Sequence, residues 1–336
     1  MEAREDLGRI RSELLKIHMQ SAGHQTRHIV AIGTKEANDR LHHEIPDRYE
    51  VTRIPINGTN PQNDTLLVAK SIEKLSPQAS IVILTDLTIQ EVMYAHRISS
   101  PAKEKGFRVV SCYARPVFYK KPHDVGGLTY AGMFNRIGNL VQGNSYSGDY
   151  LEFGAFDGRT ISLAWSCMSH IQDMRFFAFD SYKGIVGSTA DESDVYPDGS
   201  YYSNTETFVH NMRVANADMS RVLPVQGNFL EMFKNPRELQ EKYRIKRCRV
   251  AHIDCDVYKA AKASLDFISN VVEQGTILLF DEFHAHGARN DLGERRALKE
   301  WLEENPRLSV EKWHDYAAVS RAYILHVNKN VRCSSQ

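Results

Sequence analysis

Short apolar runs and helix-period segments alternate along nearly the whole chain, and in its second half the apolar runs end in acidic or amide side chains. Runs of about four to six apolar residues have the length of buried strands rather than of helices. Strands separated by helices argue for layered α/β architecture with a mostly parallel sheet. In an open sheet of that kind, ligands sit outside the carboxyl ends of the strands. The pattern therefore constrains both the fold and the place where chemistry can occur.

In the second half the sequence predicts strand one over Tyr150–Phe153 and a helix over about Thr160–Ser169. Strand two, Arg175–Phe179, ends at Asp180, and a helix follows over Thr205–Val214. Strand three is Val222–Val225, followed by Gly227-Asn228-Phe229. Strand four, Arg249–Ile253, ends at Asp254, and a helix covers Tyr258–Val272. Strand five, Thr276–Phe280, ends at Asp281-Glu282 and precedes a helix over Glu294–Glu303. Val310–Trp313 and Ala322–Val327 form a closing hairpin, which adds one antiparallel strand to a parallel sheet.

The first half repeats the rhythm on a smaller scale. A helical pattern over residues 5–20 precedes strands at Arg27–Gly33, Tyr49–Ile56, Ser80–Leu84 and Phe107–Cys112, with helices at Thr65–Leu75 and ending at Ala102. Gly33-Thr34-Lys35 is far short of a phosphate loop, and Asp86 at the end of the third strand reads as a helix cap. The expected organisation is a small α/β domain over 1–125, a linker and helix over 126–147, and a larger domain over 148–330. The first domain is expected to serve homo-oligomerisation or substrate positioning.

Composition excludes several classes. Lys+Arg and Asp+Glu both number 42, so there is no net charge to favour a nucleic-acid groove. No stretch approaches the ~20 apolar residues that span a bilayer. The charged N-terminus lacks the apolar run of a secretory signal. The five cysteines contain no C-x-x-C spacing and read as free, largely buried thiols of a reducing cytoplasm.

The strand ends carry the candidate site. The stretch Gly148–Ile161 runs from a short strand through Glu152, Gly154, Asp157, Gly158 and Arg159 into a helix start. It lacks the G-x-G-x-x-G spacing of a dinucleotide fold and the Lys-Ser/Thr of a triphosphate loop. An acidic, glycine-containing first loop suits S-adenosylmethionine, whose ammonium and sulfonium are cationic. Gly154 and Gly158 would let the backbone pass close to that ligand. Asp157 and Arg159 either brace the loop or touch the cofactor. Asp180, next to Ser181, is placed to accept hydrogen bonds from ribose hydroxyls. Asn228 could read the adenine edge, with Phe229 on its face or packed in the core.

Asp254 and Asp256 in His252-Ile253-Asp254-Cys255-Asp256-Val257-Tyr258 can point the same way, because a strand repeats every two residues. Asp281 and Glu282 come from the next strand end. Carboxylates so crowded are tolerable around a divalent cation, and an all-oxygen set favours Mg²⁺, Ca²⁺ or Mn²⁺. Such an ion could bind two vicinal hydroxyls and lower the pKa of one. A carboxylate or His284 could then take the proton. His286 reads as a surface loop histidine and His252 as a satisfied core histidine. The polar stretch 181–203, with Asp191, Glu192, Asp194, Tyr196, Tyr201 and Tyr202, reads as a substrate lid or a solvated insertion. Asn290-Asp291-Leu292-Gly293-Glu294 reads as a helix N-terminus.

At four ordered blocks the chain resembles the macrocin O-methyltransferase family of class I S-adenosylmethionine-dependent sugar O-methyltransferases. The blocks are Gly148–Gly154, Phe179–Gly184, His252–Tyr258 and Leu279–Phe283, and the resemblance covers roughly residues 130–328. It implies a Rossmann-like methyltransferase sheet, mostly parallel with an antiparallel final strand, behind a smaller α/β domain. It also implies a divalent metal such as Mg²⁺ on Asp254, Asp281 and Glu282, with Asp254 also beside the cofactor and Asp256 as general base. The chain departs from the family in having Asp-Glu where Asp-Asp is usual, and in Ala155-Phe156-Asp157-Gly158-Arg159 where an aromatic-Arg-Gly-Gly loop is common. Its first 130 residues are not explained by the resemblance. The expected activity is methylation of a hydroxyl on a sugar, glycosylated natural product or polysaccharide, with no nucleic-acid partner. A nicotinamide-dependent sugar enzyme and a non-catalytic binding protein on a vestigial fold remain the alternatives.

Overall fold

The computed structural model describes residues 26–33, 35, 38–39, 45–56, 61–85, 98–111, 128–193, 195–201 and 203–328. The helix expected over 5–20, Asp86, the segment 114–127, Asp194, Tyr202, Cys112 and Cys333 lie outside these residues. The chain divides into two units, Met1–Pro116 with Gly199–Thr207, and Val117–Asp198 with Phe208–Gln336.

The first unit holds a sheet of β1 (His28–Gly33), β2 (Glu50–Pro55), β3 (Ser80–Thr85) and β4 (Arg108–Ser111), with α1 (Pro61–Ser71) and α2 (Ser100–Glu104). All pairs are parallel and the order is β2-β1-β3-β4. Ile29, Ala31, Ile81 and Ile83 alternate onto one face and form a core with Ile45. The small parallel layer expected from the sequence is present.

The second unit begins with α3 (Tyr130–Gly143), β5 (Asp149–Phe153), α4 (Arg159–Met168), β6 (Phe176–Asp180), α5 (Thr205–Val214), of which Thr205–Thr207 fall in the first unit, and β7 (Val222–Gln226). It continues with α6 (Phe229–Met232), α7 (Pro236–Tyr243), β8 (Cys248–Ile253), α8 (Tyr258–Ile268) and β9 (Val272–Phe280). α9 (Gly293–Glu304), β10 (Leu308–Tyr316) and β11 (Ser320–Val327) complete it. The sheet order is β10-β11-β9-β8-β5-β6-β7, and β11 runs antiparallel to both of its neighbours. The result is the expected Rossmann-like, mostly parallel sheet with one reversed strand.

Both faces of the central strands are covered, as a parallel sheet requires. On one face Tyr150, Phe176, Val250, Ile277 and Leu279 pack under Met133, Phe134, Ile137 and Val141 of α3 and Ile161, Trp165 and Met168 of α4. On the other, Phe153 and Phe179 stack at 5.1 Å between ring centres, and Phe233 stacks on Phe267 of α8 at 4.4 Å. Phe229 joins this cluster, edge-on to Phe153 and stacked on Phe233, so core packing accounts for its ring.

Two elements depart from the sequence-based expectation. The helix expected through Val272 ends at Ile268, and β9 begins at Val272. The extra length is taken up where the β8–β9 register jumps, between Cys248↔Val272 and Val250↔Ile277. Gly275, at φ +80°, lies in the jump, and the Thr276 hydroxyl closes it by donating to Cys248 O at 2.8 Å. The helix α7 was not expected. Its sequence is strongly polar, and Gln240, the one buried residue on it, donates to Phe267 O at 2.6 Å. No helix among the described residues is long and apolar enough to cross a membrane. Cys248 and Cys255 are buried free thiols, as expected, and Cys167 is a half-buried one.

Candidate active site

The ends of β5, β6, β8 and β9 lie side by side, and the turns leaving them are tightly bound to one another. Gly154 just past β5 has φ +100°, and a Cβ there would lie 1.7 Å from the Asp254 carbonyl oxygen. Only glycine fits so close a crossing. Gly158, at φ +85°, starts α4, and a Cβ there would meet the Phe208 ring at 3.0 Å. The two glycines reserved on sequence grounds for a ligand are thus required by the chain's own packing. Asp157 accepts from Arg159 Nε at 3.0 Å and from its backbone N–H at 3.2 Å. The Arg159 guanidinium lies over the Phe156 ring at 5.3 Å. The pair braces the loop.

Glu152 is fully buried on the face that carries Tyr150. Its Oε2 accepts from the Tyr150 hydroxyl at 2.5 Å and lies 3.3 Å from His252 Nδ1, while Oε1 has no protein partner. His252 is a core histidine as expected, but only half satisfied, since its Nε2 is also unpartnered. Asp180 accepts the backbone N–H of Phe156 at 2.7 Å through Oδ2 and that of Tyr182 at 2.6 Å through Oδ1. Burial pushes its carboxyl up to about 6 against those two hydrogen bonds, and the nearby Glu152 and Asp157 add to the rise. Ser181 Oγ accepts from Lys183 N and donates to Gly184 O, so it is committed to its own turn. Asn228 caps α6 by accepting the Leu230 N–H at 3.0 Å, and Gly227 N donates to Asp180 O. Tyr182, held at φ +50°, keeps a buried hydroxyl without a partner beside Asp180.

At the ends of β8 and β9, Asp254, Asp256 and Glu282 offer carboxylate oxygens that all lie within 4.8 Å of one another. Asp256 is buried, and its backbone is left-handed at φ +62°, a conformation that non-glycine residues adopt mainly under local constraint. Burial is the main force raising the pKa of all three, and their mutual repulsion and that of Asp281 adds to it. Asp281 stands beside the trio, and its charge raises each of the three more than any other carboxylate does. Its Oδ1 accepts from the Tyr130 hydroxyl and from Ser320 Oγ at 3.0 Å. The close trio is therefore Asp254, Asp256 and Glu282, whereas the expected cation set had Asp281 in place of Asp256.

His284 is not in this group. Its Nε2 is 3.5 Å from Asp315 Oδ1 on the hairpin, where Arg321 and Lys312 also bind that carboxylate. His286, expected at the surface, instead has its Nε2 buried and unpartnered. Its ring lies edge-on to Tyr196 at 5.4 Å, and its backbone is left-handed at φ +53°. The segment around Glu192 is no solvated insertion at that residue. Glu192 is fully buried, and its Oε1 accepts the N–H groups of Tyr258 and Gly293 at 2.8 and 3.1 Å. Oε2 accepts from Thr189 N and Oγ1. One carboxylate thus caps two helices and pins the segment above them.

The sequence reading missed Tyr130, Tyr182, Glu294 and Tyr316. Glu294 is buried at the start of α9, and its Oε2 accepts the Glu282 N–H at 3.0 Å. Its only sequence signal is an acid in a helix first turn. Among the described residues, seven buried atoms at this sheet edge have no protein partner: Glu152 Oε1, His252 Nε2, Glu282 Oε2, Glu294 Oε1, His286 Nε2 and the hydroxyls of Tyr182 and Tyr316. Folded proteins leave few such groups, so their concentration marks a place built to receive polar ligands.

No protein-family model matches the chain, and comparison with curated proteins gives no match. Among solved structures, it is similar to the O-methyltransferase NovP at 16% identity and TM-score 0.48, over 58% of this chain and 78% of that one. The calicheamicin methyltransferase CalS11 aligns at 16% identity and TM-score 0.48, over 80% and 94% of the two chains. An O-methyltransferase from Bacillus cereus in complex with SAH aligns at 15% and TM-score 0.40, over 80% and 100%. Likenesses this remote assign neither activity nor substrate.

Proposed function

We propose that the chain is an S-adenosylmethionine-dependent O-methyltransferase that acts on a sugar hydroxyl with the help of a divalent cation. The observation that carries this reading is the pairing, along one sheet edge, of two different carboxylate sets. Glu152 and Asp180 suit a cationic, ribose-bearing donor, and the trio Asp254, Asp256 and Glu282 suits a hard cation. The sugar acceptor comes from the resemblance to the macrocin O-methyltransferases.

The residues fit both groups. Glu152 Oε1, buried and unpartnered, accepts the ammonium of the methionine part. Asp180 accepts from the ribose hydroxyls through its remaining lone pairs. Asn228 keeps its side-chain N–H₂ for the adenine edge, since its oxygen caps α6. Asp254 and Glu282 would hold the cation, whose chemistry is to make a bound hydroxyl more acidic. Asp256 has an oxygen within 4.8 Å of both and takes the hydroxyl proton. When bound, S-adenosylmethionine would supply the methyl group, its carbon–sulfur bond breaking as the carbon–oxygen bond forms. The chain contributes chiefly by holding donor and acceptor in line and by keeping water from the buried edge.

The test is methyl transfer to a panel of nucleotide sugars and glycosides with and without chelator. Asp254→Ala should lower turnover at least about a hundredfold, while S-adenosylhomocysteine still binds. Full activity of that variant, or of the wild type in excess chelator, overturns the cation's role, and failure to bind S-adenosylhomocysteine overturns the cofactor.

A further inference from the structure

We infer that Glu294 is a positioning carboxylate of the cation site, fixing the backbone of Glu282 and adding a further negative charge beside the ligands from both strand ends. This deepens the proposed function and rests on its cation. Glu294 comes from α9, not from either strand. Its Oε2 accepts the backbone N–H of Glu282, past β9, at 3.0 Å, and its charge acts on Asp254 and Cys255, past β8. A single side chain therefore fixes the backbone of one of the two segments whose carboxylates form the trio and places a charge beside the other. If Glu294 shifts, the spacing between Asp254 and Glu282 shifts with it.

A second, independent feature points to a ligand. Glu294 is 1% exposed, and its Oε1 has no protein partner. A carboxylate oxygen in that condition is costly unless something donates to it or a positive charge lies near. Glu282 Oε2, on the residue whose N–H it holds, is in the same condition. A purely structural brace would need one oxygen and no charge, and a glutamine would serve as well. A carboxylate with one oxygen left over, next to three others, is suited to a cation and the molecules that surround it. The extra methylene of Glu282 compared with an aspartate fits the same picture. The longer arm needs a fixed backbone, and Glu294 supplies the fixing point.

The experiment is calorimetric titration of the full chain with Mn²⁺ and with Mg²⁺, followed by S-adenosylhomocysteine. Glu294→Gln keeps the size and an acceptor for the Glu282 N–H but removes the charge. It should weaken Mn²⁺ binding about ten- to a hundredfold, leave S-adenosylhomocysteine within twofold, and melt no lower than wild type without cation. Glu294→Asp, which keeps the charge but shortens the reach, should also weaken Mn²⁺ binding. Wild type that binds Mn²⁺ while Glu294→Gln binds it equally well overturns the inference, and so does a lower cation-free melting temperature with unaltered Mn²⁺ affinity. Wild type that binds no divalent cation overturns this inference together with the cation part of the proposed function.

Discussion

Asp180 is the residue whose chemistry can be read most directly in solution. Its carboxyl is raised from 3.8 to about 6, mainly by burial. Between those values the native state holds a proton that the unfolded chain has released. The contribution of Asp180 to stability without cofactor therefore falls as pH rises from about 4 to 6, by an amount on the order of 3 kcal/mol, and is level above that. Cofactor binding should move the other way, because only the ionised carboxylate accepts from both ribose hydroxyls. S-adenosylhomocysteine affinity should drop about tenfold for each pH unit below 6, and Asp180→Asn should remove that dependence. A flat profile in the wild type between pH 5 and 7 excludes Asp180 from the cofactor site. This position was legible in the sequence because a strand end is a local feature. Glu294 and the tether on Asp281 were not, because their partners are remote: Tyr130 reaches Asp281 across 151 positions.

At the scale of elements, the strands and most helices followed from periodicity, and the exceptions have local physical causes. α7 is too polar to show an apolar stripe, and it is seated on the core by a buried amide and by the edge-on contact of Tyr243 with Phe177. β9 starts early because a register jump at Gly275 absorbs residues that continue the helical pattern of α8. The pinning of α8 and α9 by Glu192 could not be anticipated either, since it depends on two helix N-termini meeting. Glu192→Ala would leave the N–H groups of Tyr258 and Gly293 and the hydroxyl of Thr189 without their acceptor. At about 1 kcal/mol for each lost cap, stability should fall by roughly 2–3 kcal/mol. Amide exchange should quicken for Ser193, Val195 and Tyr196 while that of β5 and β8 follows only the global loss. Unchanged protection at Tyr196 would show that the segment is held by something other than this carboxylate.

For the molecule as a whole, the carboxylates at the end of the second sheet work against folding. Asp254, Asp256, Glu282 and Glu294 are each raised by burial and by the charge of Asp281. Unfolding separates these charges and returns them to water, so their repulsion is a cost borne only by the native state. A divalent cation bound among them removes that cost and binds the unfolded chain far more weakly. A hundredfold excess over Kd should therefore stabilise the second unit by about 2.7 kcal/mol. Scanning calorimetry should show Mg²⁺ or Mn²⁺ raising the transition of that unit by several degrees, with chelator reversing the rise. Sodium chloride at equal ionic strength should not reproduce it, because screening acts weakly on buried charges. Asp254→Ala should melt no lower than wild type without cation, having lost one of the repelling charges, and should lose the cation response. A divalent-cation shift that survives in Asp254→Ala would place the stabilising ion elsewhere on the molecule.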